Sequence, residues 1–192
     1  MSLQRALAEI RERLGAPNWS EKNVKNFPEQ NKELWRCVLE STGDPLLLHF
    51  LSALIREYRI PARDPDALAR AIQLYSAEHI QFFRERPERF QSAARTVAWG
   101  IGDCDDKSIF VAASLRTFRV PARLTILRLV IDGEPTGHVY PEYWSEDQEK
   151  WIPLDSVRVF PVGHNPAVIA AERGFLEKIE RIGDKEDPGF HA

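Results

Sequence analysis

The hydrophobic periodicity of this 192-residue chain switches from helical to strand-like close to residue 120, and no other feature constrains the fold as tightly. Upstream, apolar residues recur at helical spacing. Leu3, Leu7, Ile10 and Leu14 lie on one face of an amphipathic helix, which Gly15, Pro17 and Asn18 break. Leu34 to Leu39 predicts a second short helix that buries Leu34, Trp35 and Val38. Asp44-Pro45 and Asp64-Pro65 each set an N-cap acceptor before a proline, whose missing N–H costs nothing at the first helical position. The helix from Pro45 to about Tyr58 is apolar nearly all round and is expected at the centre. The helix from Pro65 is expected to reach about Arg86, before Pro87. After Gly100 and Gly102, the run from Cys104 to Phe118 reads as another buried helix through Ile109, Val111, Ala112 and Leu115, ending near Arg119.

Downstream the pattern is first that of strands. Arg123 to Ile131 is rich in Leu, Ile and Val and ends at the turn signal Asp132-Gly133. Two shorter strands are expected at His138–Trp144 and Lys150–Leu154, with Pro141 and Pro153 favouring edge or bulged positions. Ala167 to Ile182 reads as a final amphipathic helix, followed from Gly183 by a frayed polar tail containing Pro188 and Gly189. Helices first and strands later predict an α+β fold.

Composition narrows the function classes. With 43% hydrophobic residues and a net charge of -3, neither disorder nor a general attraction to nucleic acid or anionic membrane is expected. The most apolar run, Pro45–Ile55, is shorter than the ~17–25 residues of a membrane helix, and the N-terminus has no apolar signal core. Two cysteines, Cys37 and Cys104, make no disulfide framework, so the expected location is a reducing one, the cytoplasm.

Cys104 sits where a glycine-bearing turn meets a buried helix. Unpaired N–H groups at a helix start favour thiolate, but Asp103, Asp105 and Asp106 oppose it, so a cationic partner is required. His138 and Asp155 supply one. In a hairpin with Trp144 facing Lys150, His138 falls within one position of Asp155, roughly 5 Å away at Cβ. An imidazole held by a carboxylate can offer its other nitrogen to a thiol. Cys, His and Asp could also hold zinc, but the hairpin puts Asp155 behind the imidazole instead of beside the thiol. The aspartates around Cys104 lack a calcium-loop spacing and read as helix-start hydrogen-bonding groups. Cys37, beside Trp35 and Val38, reads as core, and His164 as part of a loop. Arg84, Arg86, Arg89 and Arg95 read as a solvated face.

Four blocks carry a family resemblance: G-D-C-D-D at Gly102–Asp106, L-R-T-F-R-V-P-A-R at Leu115–Arg123, H-V-Y-P-E-Y at His138–Tyr143 and W-I-P-L-D at Trp151–Asp155. Their order and spacing resemble the transglutaminase-like superfamily of papain-type thiol enzymes, nearest to the bacterial and tailed-phage transglutaminase-like cysteine peptidases. Those proteins have a segment similar to Phe90–Val97, usually with proline where this chain has Ala93. The resemblance spans about Phe90 to Pro161. It implies a papain-like transglutaminase core, a Cys-bearing helix on a small antiparallel sheet, at 61–165, with a helical N-terminal extension at 1–60 and a C-terminal helix and tail at 166–192. It further implies Cys104 as nucleophile, His138 as base and Asp155 as its orienter, with no metal and no cofactor. Papain-type enzymes hold the oxyanion with the cysteine N–H and a preceding side chain, a place that Gln91 or Trp99 would take here.

The expected function is thiol-dependent acyl chemistry on a protein or peptide amide, with hydrolysis, as a cysteine peptidase or deamidase, favoured over transfer to an amine. Transfer would need an aromatic-walled site, for which Trp99, Trp151 and Tyr140 are the candidates, although Trp99 and Trp151 serve equally well as core residues. The alternative of another class is a structural or adaptor protein that keeps the fold, such as a virion-associated phage component, docking a partner through the N-terminal helices or the tail.

Overall fold

The computed structural model describes residues 1–15, 27–61, 63–84 and 90–183. Pro17, Asn18, the expected helix end at Arg86, Arg89, and the tail with Pro188 and Gly189 lie outside them.

Capping chemistry explains the first helices. Helix α1 (Leu3–Leu14) starts at Ser2, whose side chain accepts from the Arg5 N–H, and buries Leu3, Ala6, Leu7 and Ile10. Helix α2 (Phe27–Ser41) is longer than the predicted Leu34–Leu39 and buries Leu34 and Val38. Helix α3 (Pro45–Glu57) begins as its proline predicts, with Asp44 Oδ1 accepting from Leu46 and Leu47 N–H at 2.7 and 3.0 Å. Phe50, Leu51 and Leu54 put it in the core. Helix α4 (Pro65–His79) is capped by Asp64. No single described helix is long and apolar enough to cross a membrane.

Helix α4 stops seven residues short of Arg86. Ile80 is extended, and Gln81–Phe82 (β1) pairs in parallel with Ile101–Gly102 (β2). That long-range pairing, with Gln81 N–H donating to Gly100 O at 2.8 Å, overrides the local helical pattern. Between the two short strands lies helix α5 (Ala93–Trp99), which the sequence reading missed. Seven residues are too few for a hydrophobic period to show.

Helix α6 (Cys104–Thr117) is the centre of the molecule. Every residue from Asp106 to Arg116 is buried, against α2, α4 and α5 and against strands β3 (Ala122–Ile131) and β4 (Glu134–Ser145). The sheet is antiparallel in the order β5-β4-β3-β6, with β5 at Lys150–Pro153 and β6 at Leu176–Ile182. Asp132 and Gly133 turn β3 into β4 with φ of 53° and 81°, the pair of positive angles that a two-residue hairpin turn requires. Ile126 faces the main core, while its neighbour Leu127 joins Tyr140 and Ala167 on the opposite face of the sheet.

Three strand expectations need correcting. β4 starts at Glu134, four residues before His138, because the tight turn lets the ladder run unbroken from Ile131↔Glu134 to Ala122↔Tyr143. Pro141 lies in an interior strand, opposite Leu124. Its carbonyl accepts from Leu154 N–H at 2.8 Å, but the proline has no N–H to return the bond, and the β5 ladder ends one pair earlier, at Glu142↔Pro153. Finally, Ala167–Ile182 is not one helix. Asn165 caps a short helix α7 (Pro166–Glu172), Gly174 turns the chain at φ 69°, and the rest becomes β6, which completes the β3 edge with a bulge at Arg128/Leu129.

Candidate active site

Cys104 is the first residue of α6. Asp103 caps the helix, its Oδ1 accepting from the N–H of Asp105 at 3.0 Å and of Asp106 at 3.4 Å. Asp106 is fully buried and turned inward, accepting from the backbone N–H of Gln91 at 2.7 Å and from its Nε2 at 2.8 Å. Gly102 is required by space, since a Cβ there would lie 2.7 Å from the Asp106 Cβ. The aspartates thus form the hydrogen-bonded helix start expected of them and hold the cysteine turn.

Cys104 is half-buried, with Sγ 3.9 Å from Asp105 Oδ1. His138 stands on β4, opposite Leu127, its ring 6.0 Å from that of Tyr140. Ser108 on α6 donates to Val139 O at 3.1 Å, fixing the cysteine helix against the histidine strand. Cys104 and His138 line one cavity of about 690 Å³, walled by Phe82 and Phe90 on the helical side and by Ile126 and Leu129 on the sheet.

His138 Nε2 lies 3.0 Å from Asp155 Oδ2, leaving Nδ1 without a protein partner among the described residues. The register is one position off the expected one, Trp144 pairing with Trp151, not Lys150. This does not matter, because Asp155 is not in a strand. It follows β5 by two residues, and its carboxylate reaches back to the ring while Oδ1 accepts from Val157 N–H at 3.1 Å. Burial raises the carboxyl's pKa, but the His138 hydrogen bond and charge, with the Val157 N–H and the charge of His164, hold it below the ordinary aspartate value.

The other singled-out residues sit elsewhere. Gln91 does not offer a donor to the cavity, because its Nε2 is spent on Asp106 and on Ile101 O at 3.2 Å. Trp99 Nε1 is buried without a hydrogen-bond partner among the described residues, and neither residue lines the cavity. Trp151 packs edge-on against Trp144, with the Arg123 guanidinium 4.1 Å from its ring centroid. Tyr140 is buried on the far face of the sheet, donating to Asn165 Oδ1 at 3.2 Å. The aromatic wall of Trp99, Trp151 and Tyr140 is therefore not formed around Cys104. Cys37 is in the core, as expected, and His164 is in a loop, stacked on Phe160 at 4.0 Å. Arg84 is exposed at the rim of the cavity. Among the described residues no group of three or more His, Cys, Asp or Glu side chains could hold a metal ion.

Three polar residues behind the site were missed. Gln73 and Ser76 project from α4, and Lys107 from α6, all buried. Lys107 carried a readable signal: a lysine within a helical run otherwise apolar enough to be core is rarely there without a partner. Gln73 and Ser76 carried none.

Residues 52–156 match the family model described as Transglutaminase-like superfamily. No curated protein sequence matches the chain. Among solved structures, a candidate cysteine protease from Cytophaga hutchinsonii is similar at 14% identity and TM-score 0.49, over 79% of this chain and 52% of its own. Calcium-bound LapG of Legionella pneumophila is similar at 11% identity and TM-score 0.43, over 92% of this chain and 81% of its own. The chain thus spans about half the length of the Cytophaga structure. With more than half of its residues inside the family match, around a cysteine-bearing helix laid on an antiparallel sheet, the chain belongs to the transglutaminase-like superfamily.

Proposed function

We propose that the protein is a cysteine hydrolase acting on an amide of a protein or peptide, with Cys104 as nucleophile, His138 as base and acid, and Asp155 as the group that orients the imidazole. One observation carries this reading: His138 gives Nε2 to a buried carboxylate at 3.0 Å while sharing a cavity with the half-buried thiol of a helix N-terminus. Cys104 passes its proton to Nδ1, and the thiolate attacks the carbonyl carbon. The oxyanion meets the backbone N–H of Cys104, at a helix start where no intrahelical acceptor exists. The intermediate collapses as the imidazolium protonates the departing amine. Water, deprotonated by His138, then cleaves the thioester, giving the carboxyl product and the free thiol.

Release to water is favoured over transfer to an amine because Trp99, Trp151 and Tyr140 do not enclose the thiol. The test is alkylation followed by turnover. Iodoacetamide at neutral pH should modify the native protein once, at Cys104 and not at buried Cys37, and faster than free cysteine. A mixed peptide library with a labelled primary amine should show cleavage or deamidation that Cys104→Ala abolishes. Equal labelling of both cysteines, or none before denaturation, refutes the thiol site. Stable amine incorporation at glutamine refutes hydrolysis.

A further inference from the structure

Asp155 can orient His138 only if the loop that carries it is held, and the last backbone bond of this segment to the sheet is made by Leu154, one residue before Asp155. What holds it is a set of buried side chains from two helices. Gln73 Nε2, on α4, donates to the backbone carbonyl of Asp155 at 2.8 Å. Ser76, one turn further along α4, shares a hydrogen bond of 2.9 Å with the Ser156 hydroxyl. Lys107, one turn beyond Cys104 on α6, donates Nζ to the Ser156 carbonyl at 2.8 Å. Both carbonyls and the hydroxyl of this dipeptide are thus gripped by side chains that do not line the cavity. All five residues are buried, so the bonds are made out of competition with water.

Lys107 is an expensive way to hold a carbonyl. Burial brings its amine down from the ordinary lysine value to about 8, while the Asp155 charge pulls it back up. A serine or glutamine would satisfy Ser156 O without desolvating an ammonium. The cation does have a use where it stands, because it is bonded to the residue next to Asp155 and interacts electrostatically with that carboxylate, which the proposed chemistry needs ionised. It touches neither thiol nor imidazole, so it acts through Asp155.

We propose that Lys107 and Gln73 are positioning residues of the thiol site, clamping the Asp155–Ser156 backbone to the helical layer so that the carboxylate meets His138. The inference rests on the proposed Cys104–His138–Asp155 triad and adds a control that no core-packing role predicts. If the two residues act through Asp155, their effect vanishes once Asp155 cannot work.

The experiment is a pair of double-mutant cycles on the full chain, read as the rate of Cys104 alkylation by iodoacetamide across pH, with thermal melts to confirm folding. Lys107→Met and Gln73→Leu should each slow alkylation at neutral pH at least 5-fold and move the acid limb of the profile in the direction that Asp155→Asn moves it. Added to Asp155→Asn, each should change the rate less than 2-fold. An undiminished effect in the Asp155→Asn background, or wild-type rates in both single variants, overturns the clamp. If Lys107→Met does not fold, Gln73→Leu, which removes no charge, decides alone. A wild-type rate for Asp155→Asn itself refutes the triad, and that arm contains neither clamp variant, so the two failures are distinguishable.

Discussion

Gly102→Ala should damage stability and thiol reactivity together. The glycine is not needed for its backbone angles, since Gly102 is not among the residues with positive φ. Its requirement is space alone. The added Cβ would stand 2.7 Å from the Asp106 Cβ, 3.2 Å from Oδ2 and 3.4 Å from Cγ. Ordinary contact begins at 3.4 Å, so the two must part by about 0.7 Å. Asp106 is poorly placed to yield: its Cβ is fixed to the central helix, and its carboxylate holds two donors of Gln91. The displacement must therefore fall on β2 and the turn into Cys104. Overpacking of this kind costs about 1–3 kcal/mol. Moving a nucleophile by a sizeable fraction of an ångström from its base should slow it about 10-fold or more. Urea denaturation gives the first quantity and the rate of Cys104 alkylation the second. A variant within about 0.5 kcal/mol of wild type that also alkylates at the wild-type rate would show that the turn is slack and that Gly102 is incidental.

Three further outcomes are expected. Lys107 has a folded value near 8 against 10.5 in the open, so the unfolded chain holds the extra proton between those values and stability should rise with pH across that window, by about 3 kcal/mol at most; urea midpoints from pH 7 to 10 should lose this rise in Lys107→Met. Asp155 is held below 3.8, so its contribution is complete above that value and is lost as pH falls through the lower folded one. Urea titrations from pH 6 to 3 should show Asp155→Asn lacking that acid-side loss, and a parallel decline in both proteins refutes it. Asp103→Ala should cost about 1 kcal/mol, as loss of a helix cap does. Ser92→Ala, whose bond to Arg95 N–H is a long and exposed 3.4 Å, should cost measurably less in the same assay.

Much of this architecture could be read from local chemistry. The caps at Asp44 and Asp64, the prolines behind them, the Asp132-Gly133 turn and the apolar run of α6 are signals contained within a few residues, and each is where it was expected. Segments decided by distant partners were misread. Gln81 and Phe82 leave the helical pattern because Ile101 and Gly102 offer them backbone partners. Leu176–Ile182 is a strand because β3 has an open edge. The pairing of His138 with Asp155 was anticipated through a register that is one residue off, and it holds because a loop carboxylate has latitude that a strand residue lacks. Gln91 was assigned by its place before the cysteine. Its real partner, Asp106, is buried, and nothing in the sequence says which aspartate of three faces inward.

The placing of the candidate residues also explains why polar groups are buried between the layers. Cys104 belongs to the helical layer, while His138 and Asp155 belong to the sheet and its following loop. Apolar packing between the two layers is strong but non-directional, and it tolerates small sliding movements at little cost. Hydrogen bonds of 2.8–3.1 Å do not. Ser108 to Val139, Gln73 to Asp155, and Lys107 to Ser156 cross this boundary and surround the triad. Each desolvates polar groups that an apolar core would avoid, and in return each fixes a register that apolar contacts leave loose. Replacing the seam side chains by isosteric apolar residues removes one partner of each bond and leaves a buried backbone carbonyl behind, so each replacement should cost about 1–3 kcal/mol and loosen the Cys104–His138 geometry. For Gln73 and Lys107 the stability loss should persist in the Asp155→Asn background while the loss of alkylation rate should not, which failure of the core by itself could not produce.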